Sequence, residues 1–257
     1  MTGSVEIRPV AGIPDIVPGD DLATIIGDCL AGRDGMVEGD ILTIAHKIVS
    51  KAEGNVVDLA SVAPSEEARK IAEDLNKCPA KVDVILRQSN RVVRAFKRPE
   101  QNEGTLICEH KLGFISANAA VDQSNAEDEN SVITLPDDPD RSARQIGRAL
   151  EDRFGVRVGV VITDTFGRPW RLGQVNVAIG LYGVPAKTSD IGSTDAWGRP
   201  LSVTEPALSD ELAAASGLVV AKAARMPVTL FRGVAWEPKE DTSARDILRA
   251  SKEDMFR

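Results

Sequence analysis

Apolar positions along the chain fall into blocks of strand and helix spacing, and the most continuous block covers residues 158–162. Val158, Val160, Val161 and Ile162 form a β-branched run without polar alternation, which predicts a strand buried on both faces. This strand is expected to end at Thr163-Asp164-Thr165. The chain then turns through Phe166-Gly167-Arg168-Pro169-Trp170 and re-enters the core over residues 175–181. Residues 41–45 read as a second buried strand, and shorter strands are expected at 5–10, at 226–233, and in the runs VVRAF, TLICEH and GFISA between 91 and 116.

Between these lie helical patterns. Asp20 reads as the N-cap of a helix carrying Leu22, Ile25, Ile26, Cys29 and Leu30, closed by Gly32. Ser65, with Glu66 and Glu67 behind it, opens a helix whose Ala68, Ile71, Ala72 and Leu75 recur at helical spacing. Pro79 separates that helix from a stretch with Val82, Ile85 and Leu86. Residues 140–154 place Ala143, Ile146, Leu150 and Phe154 on one face and end at Gly155. Thr204-Glu205-Pro206 is expected to begin a last helix, where cap, acid and proline suit a first turn. The fold class is therefore α/β, of mixed α+β type. No internal repeat or clean linker divides the chain, so residues 1–257 read as one unit in which any second domain shares chain with the first.

Composition narrows the function. Hydrophobic residues make up 42% of the 257 and aromatics only 4%, so the core must be mainly Val, Ile, Leu and Ala. A net charge of −8 argues against a nucleic-acid binder, which needs a basic face. The three cysteines, Cys29, Cys78 and Cys108, are far apart and form neither a disulfide framework nor a zinc pattern. With no apolar run of membrane-spanning length and no signal-peptide core, a soluble cytoplasmic protein is expected.

Phosphate-loop, dinucleotide-binding and zinc-protease signatures are all absent, and two histidines cannot make a His-rich metal site. Oxygen chemistry remains. Asp122, Asp164, Thr165, Asp190 and Asp195 are expected in loops beside strands, where carboxylates and hydroxyls suit Mg²⁺ or Mn²⁺. Lys51, Arg168, Arg171 and Lys222 are the bases available for phosphate. Each acid also has a plainer reading: Asp164 as a turn aspartate bonding nearby backbone, Asp190 and Asp195 as solvated loop residues. The plainer reading is preferred for the last two, and for Asp122 and Asp164 both readings stay open on the residues alone.

Three long segments then match a known family: HKLGFISANAAVDQSN (110–125), ITDTFGRPWRLGQVNVAIG (162–180) and DAWGRPLSVTEPALSDELAAAS (195–216). Together with AGIPDI near the start and VSKAEG at 49–54, they resemble the coenzyme F-420-0:γ-glutamyl ligases, in order across nearly the whole chain. The resemblance implies a GTP-dependent amide ligase that adds L-glutamate to the carboxylate of a deazaflavin coenzyme. It also implies a homodimer, an unusual mixed fold of two intertwined domains, and divalent metals, two per site, between nucleotide and acceptor. Carried over by motif, Asp122 and Asp164 would ligate metal and Thr165 would serve a second metal. Asn125 would contact the nucleotide, and Gly12, Ile13, Pro14, Asp15, His46 and Lys51 would line its pocket.

The chain departs from the family pattern in three places. Val220-Ala221-Lys222-Ala223-Ala224-Arg225-Met226 stands where relatives often have a glycine-rich loop with an acid. Ala119-Ala120-Val121 replaces the more usual Ala-Gly-Val, and His46 stands where a small hydroxyl residue is common. Activation of a carboxylate by γ-phosphoryl transfer, giving an acyl phosphate, is the simplest chemistry these residues serve. Two alternatives remain open at this stage: a paralogous ligase for another carboxylate, and a nucleotide-binding protein without turnover.

Overall fold

In the computed structural model, which describes residues 3–124, 128–220 and 225–254, the chain opens with strand β1 (Glu6–Pro9), helix α1 (Leu22–Ala31), strand β2 (Ile41–Ala45) and helix α2 (His46–Ala52). Next come β3 (Val56–Asp58), α3 (Glu66–Leu75), α4 (Pro79–Arg87), β4 (Ser89–Phe96), β5 (Thr105–His110), β6 (Ile115–Ala117) and β7 (Ser131–Ile133). The remainder is α5 (Pro139–Phe154), β8 (Gly159–Arg168), β9 (Arg171–Tyr182), α6 (Leu208–Ser216) and β10 (Val228–Arg232).

Five strands make a mixed sheet in the order β1-β10-β2-β8-β9. Its middle pair, β2 and β8, is parallel, with Ile41 opposite Gly159 and Ala45 opposite Thr163; the other pairs are antiparallel. The expected burial holds: every residue from Val158 to Ile162 is buried, and Ile41, Leu42 and Ile44 are fully buried. Helices α5 and α6 pack on β8 and β9. The approach of α5 is close because Gly180 has no side chain: a Cβ there would lie 2.5 Å from the Pro139 backbone. Asp140 locks the contact by accepting the Leu181 N–H at 2.8 Å. The mixture of helices with mixed sheets is the α+β class expected from the sequence.

A second, smaller core lies in the middle of the chain. It joins Ala68, Ala72 and Leu75 of α3, Val82 and Ile85 of α4, Leu106 and Cys108 of β5, and Val132 of β7. The antiparallel sheet β4-β5-β6 and the β3-β7 pair belong to this region. Leu112 and Phe114, in the same stretch of chain, pack instead into the larger core.

Several boundaries differ from the sequence reading. Asp21, not Asp20, caps α1, accepting from Thr24 N, while Asp20 accepts from Val17 N and closes the preceding turn. Helix α6 begins at Leu208 after Ala207, so Thr204-Glu205-Pro206 is loop rather than first turn. Strand β8 does not stop at Thr165. It runs to Arg168, and β9 already begins at Arg171, so Asp164 and Thr165 lie inside a long hairpin opposite Val177 and Asn176 rather than in a loop. Ladder bonds to β9 satisfy a backbone that the local polarity of the sequence made look like a turn.

Candidate functional site

The parallel ladder ends at Ala45 and Thr163, and just beyond it His46, the first residue of α2, faces Asp164 of β8. A cavity of about 790 Å³ opens there. Its walls come from five separate segments: the loop at 13–16, the β2–α2 junction, Asp122, the β8–β9 hairpin at Thr165 and Asn176, and residues around Ser216 and Arg225.

Ile13, Pro14, Asp15, His46, Lys51, Asp122, Asp164 and Thr165 all line this cavity. Gly12 precedes the lining loop with φ +95°, a conformation that glycine adopts without strain. Asn125 and Lys222 lie outside the described residues, as does most of the altered segment at 220–226. Arg168 and Arg171 are at the hairpin tip, away from the cavity. Asp190 and Asp195 are also away from it; Asp195 accepts the Trp197 and Arg199 N–H groups at 2.8 Å, as a loop aspartate does.

Asp122 is held on both sides. Its backbone exchanges N–H···O bonds with Ile133 at 3.0 and 2.8 Å, and its carboxylate accepts from Ser124 N at 2.8 Å and from Lys47 Nζ at 2.6 Å. Burial pushes this carboxyl's pKa up, but the bonds from Lys47 and Ser124 outweigh it and bring it down to about 2. Asp164 Oδ1 accepts its neighbour's Thr165 N–H at 2.7 Å. Beyond it, Thr165 Oγ1 donates to Asn176 Oδ1 at 2.8 Å, and Asn176 Nδ2 donates to Ser216 Oγ at 3.1 Å.

Both histidines belong to this neighbourhood. His46 is 2% exposed; its Nε2 is 3.3 Å from Asp164 Oδ1 without hydrogen-bond geometry, and its Nδ1 is 3.2 Å from Ser50 Oγ. His110 accepts the Leu112 N–H at Nδ1, and burial, with Lys111 adding to it and Asp164 opposing, pushes its pKa down to about 4. The neutral ring therefore carries its proton on Nε2, which has no hydrogen-bond partner.

The donor set suits a hard divalent cation. Two carboxylates and a threonine hydroxyl share the cavity, and a buried imidazole nitrogen faces one carboxylate without a bond of its own. Among the described residues no three His, Cys, Asp or Glu side chains converge on one point. Mg²⁺ is commonly held by one or two carboxylates and completed by substrate phosphates and water.

Sequence reasoning missed Lys47, Asn176, Ser216 and Arg225 as cavity residues. Lys47 stands four residues before Lys51, a spacing that becomes one helical face only once α2 has formed. The others had no signal, since Asn176 and Ser216 reach the cavity through the hairpin and the end of α6.

A cleft of this size, lined by carboxylates and lysines, is of the kind in which enzymes bind charged small molecules. The F420-0:Gamma-glutamyl ligase family model matches residues 12–233. The chain is 43% identical over 258 residues to the coenzyme F420:L-glutamate ligase of Methanopyrus kandleri, covering 99% of this chain and 98% of that one. It is 39% identical to the enzyme of the same description from Methanothermobacter thermautotrophicus, over 98% and 99%, and 37% identical to that of Archaeoglobus fulgidus, over 98% and 96%. The chain belongs to the F420-0:gamma-glutamyl ligase family and is a ligase that forms carbon–nitrogen bonds. No described helix is long and apolar enough to cross a membrane.

Proposed function

We propose that this ligase joins L-glutamate to the carboxylate of the deazaflavin F420-0, with GTP as cosubstrate and Mg²⁺ or Mn²⁺ in the site. The observation that carries the reading is the meeting of Asp122, Asp164 and Lys51 in one cavity, in a chain whose relatives bear that activity in their names.

The γ-phosphoryl group of GTP passes to the acceptor carboxylate, giving GDP and an acyl phosphate. The glutamate amine attacks the acyl carbon, the C–N bond forms, and the acyl C–O bond breaks as inorganic phosphate leaves with its electron pair. The amine's proton goes to solvent or to a nearby base. A divalent metal held by Asp122, Asp164 and Thr165 would neutralise charge on the transferring group. Lys51, on the last turn of α2, has no ion pair among the described residues and takes a phosphate oxygen. The loop at 13–16 and His46 close the pocket around the nucleotide.

The protein acts as a homodimer in this reading. The hairpin tip supports it, because Leu172 is fully exposed and Trp170 is 86% exposed, an unusual outlay of apolar surface for a chain with three tryptophans.

The deciding experiment incubates the purified chain with GTP, L-glutamate, F420-0 and Mg²⁺ or Mn²⁺, and follows acceptor mass and GDP together. One glutamyl added per GDP released is expected, with neither product when metal is chelated. GDP release without a mass change would overturn the ligase assignment for this acceptor.

A further inference from the structure

Lys47 Nζ lies 2.6 Å from Asp122 Oδ2 and 2.6 Å from Ser124 Oγ, and Ser124 Oγ donates to the same carboxylate oxygen at 2.9 Å. We propose that Lys47 is the resident cation of Asp122, displaced when a divalent ion takes that oxygen and then turned toward the nucleotide's phosphates, so that metal and nucleotide bind cooperatively. The inference rests on the metal-binding reading of Asp122 given above.

The two partners differ in freedom. Asp122 is the more fixed of the two, because its backbone is bonded to Ile133 in both directions and its Oδ1 accepts the Ser124 N–H at 2.8 Å. Lys47 can swing away, because its ammonium sits on a flexible four-carbon stem. A divalent ion on Oδ2 would put a double positive charge almost in contact with the ammonium, and such like charges repel strongly in a partly buried site. The oxygen therefore holds one cation or the other.

The cavity offers the displaced lysine a destination. Lys47 and Lys51 lie one turn apart on α2, and both line the same wall. Lys51 has no ion pair among the described residues, whereas Lys47 is engaged. Metal loading thus frees a second ammonium beside the first, where polyphosphate charge accumulates. By linkage, nucleotide that captures Lys47 must raise metal affinity by the same factor.

Calorimetric titration tests this with two probes, Mn²⁺ alone and a non-hydrolysable GTP analogue with or without saturating Mn²⁺. In the wild type the analogue should tighten Mn²⁺ binding. In Lys47→Met, Mn²⁺ alone should bind about tenfold tighter, the analogue about tenfold weaker, and the coupling should shrink about tenfold to what direct metal–phosphate contact supplies; such factors are typical of linked sites. Ser124→Ala loosens the lysine's hold while leaving its charge, and removes only a hydroxyl, so it guards against a misfolded Lys47 variant. It should tighten Mn²⁺ alone and leave the analogue's affinity at saturating Mn²⁺ unchanged. Unchanged or weaker Mn²⁺ binding in both variants overturns the inference. Asp122→Asn separates the two levels. If it binds Mn²⁺ like the wild type, the metal reading and the inference fall together; if it loses Mn²⁺ while the other two variants match wild type, only the inference falls.

Discussion

Nε2 of His46 lies 3.3 Å from Oδ1 of Asp164, and the buried ring of His110 is close enough to feel the same carboxylate. His46 thus faces Asp164 at the end of the parallel β2–β8 ladder, and the charge of the same aspartate reaches His110. Asp164 is the residue where the strand pattern, the family motif and the cavity coincide.

Asp164→Asn keeps an oxygen for the Thr165 N–H and nearly the same volume. The fold should survive with an unchanged melting temperature. Metal-dependent turnover of GTP with glutamate and acceptor should fall roughly 10²–10³-fold, as for loss of a major preorganised charge. Wild-type turnover with a lowered melting temperature would make Asp164 an architectural residue.

Lys51→Ala removes a cavity ammonium that has no ion pair among the described residues. GTP binding should weaken by about 1.5–3 kcal/mol, the worth of one charge-assisted bond. Calorimetry showing wild-type affinity would retire its phosphate role.

Ala120 sits at φ +58°, in a run with Asn118 at +55° and Ala119 at +49°. A left-handed alanine costs roughly 1–2 kcal/mol, and a glycine costs about 0.4–1 kcal/mol more to order from the unfolded chain. Ala120→Gly should therefore stabilise the protein by about 0.5–1 kcal/mol in urea unfolding. Destabilisation would mean that the buried methyl group outweighs the backbone strain.

At micromolar concentration the wild type should scatter light as a dimer, burying on the order of 2,000 Å² or more. Leu172→Asp places a charge on the fully exposed hairpin position and should halve the mass. A monomeric wild type would remove the dimer from the functional reading.

Burial pushes the Glu53 carboxyl above the ordinary glutamate value, against the opposing pull of the Ser142 hydroxyl and Arg141. A raised folded pKa means that the folded state holds the proton more tightly. The contribution is complete below the ordinary glutamate value and is lost as pH rises through the raised one. Glu53→Gln should thus match the wild type near about pH 4 and exceed it in stability near about pH 7. Urea melts at both values check the sign, and a constant difference would show that ionisation of Glu53 is not involved.

Local chemistry alone determined much of the architecture. The β-branched run before Thr163 could only be buried, the spacing of Ala143, Ile146 and Leu150 could only be a helix face, and Ser65 and Gly155 mark helix ends by their own side-chain and backbone preferences. The long motifs also carried the family. What sequence did not reveal depends on partners distant in the chain. Whether Asp20 or Asp21 capped α1 turned on which carboxylate the Val17 turn had already taken. The polar second half of β8 became strand only because β9 returned to bond it. Helix α2, seven residues long, is too short to show a period. The site itself is a tertiary fact: the parallel pairing of β2 with β8 brings His46 to Asp164, and the Asp122–Ile133 bridge presents Asp122 to Lys47. Motifs name residue types along a line, but the distances between charges that decide metal and phosphate binding exist only once those long-range pairings have formed.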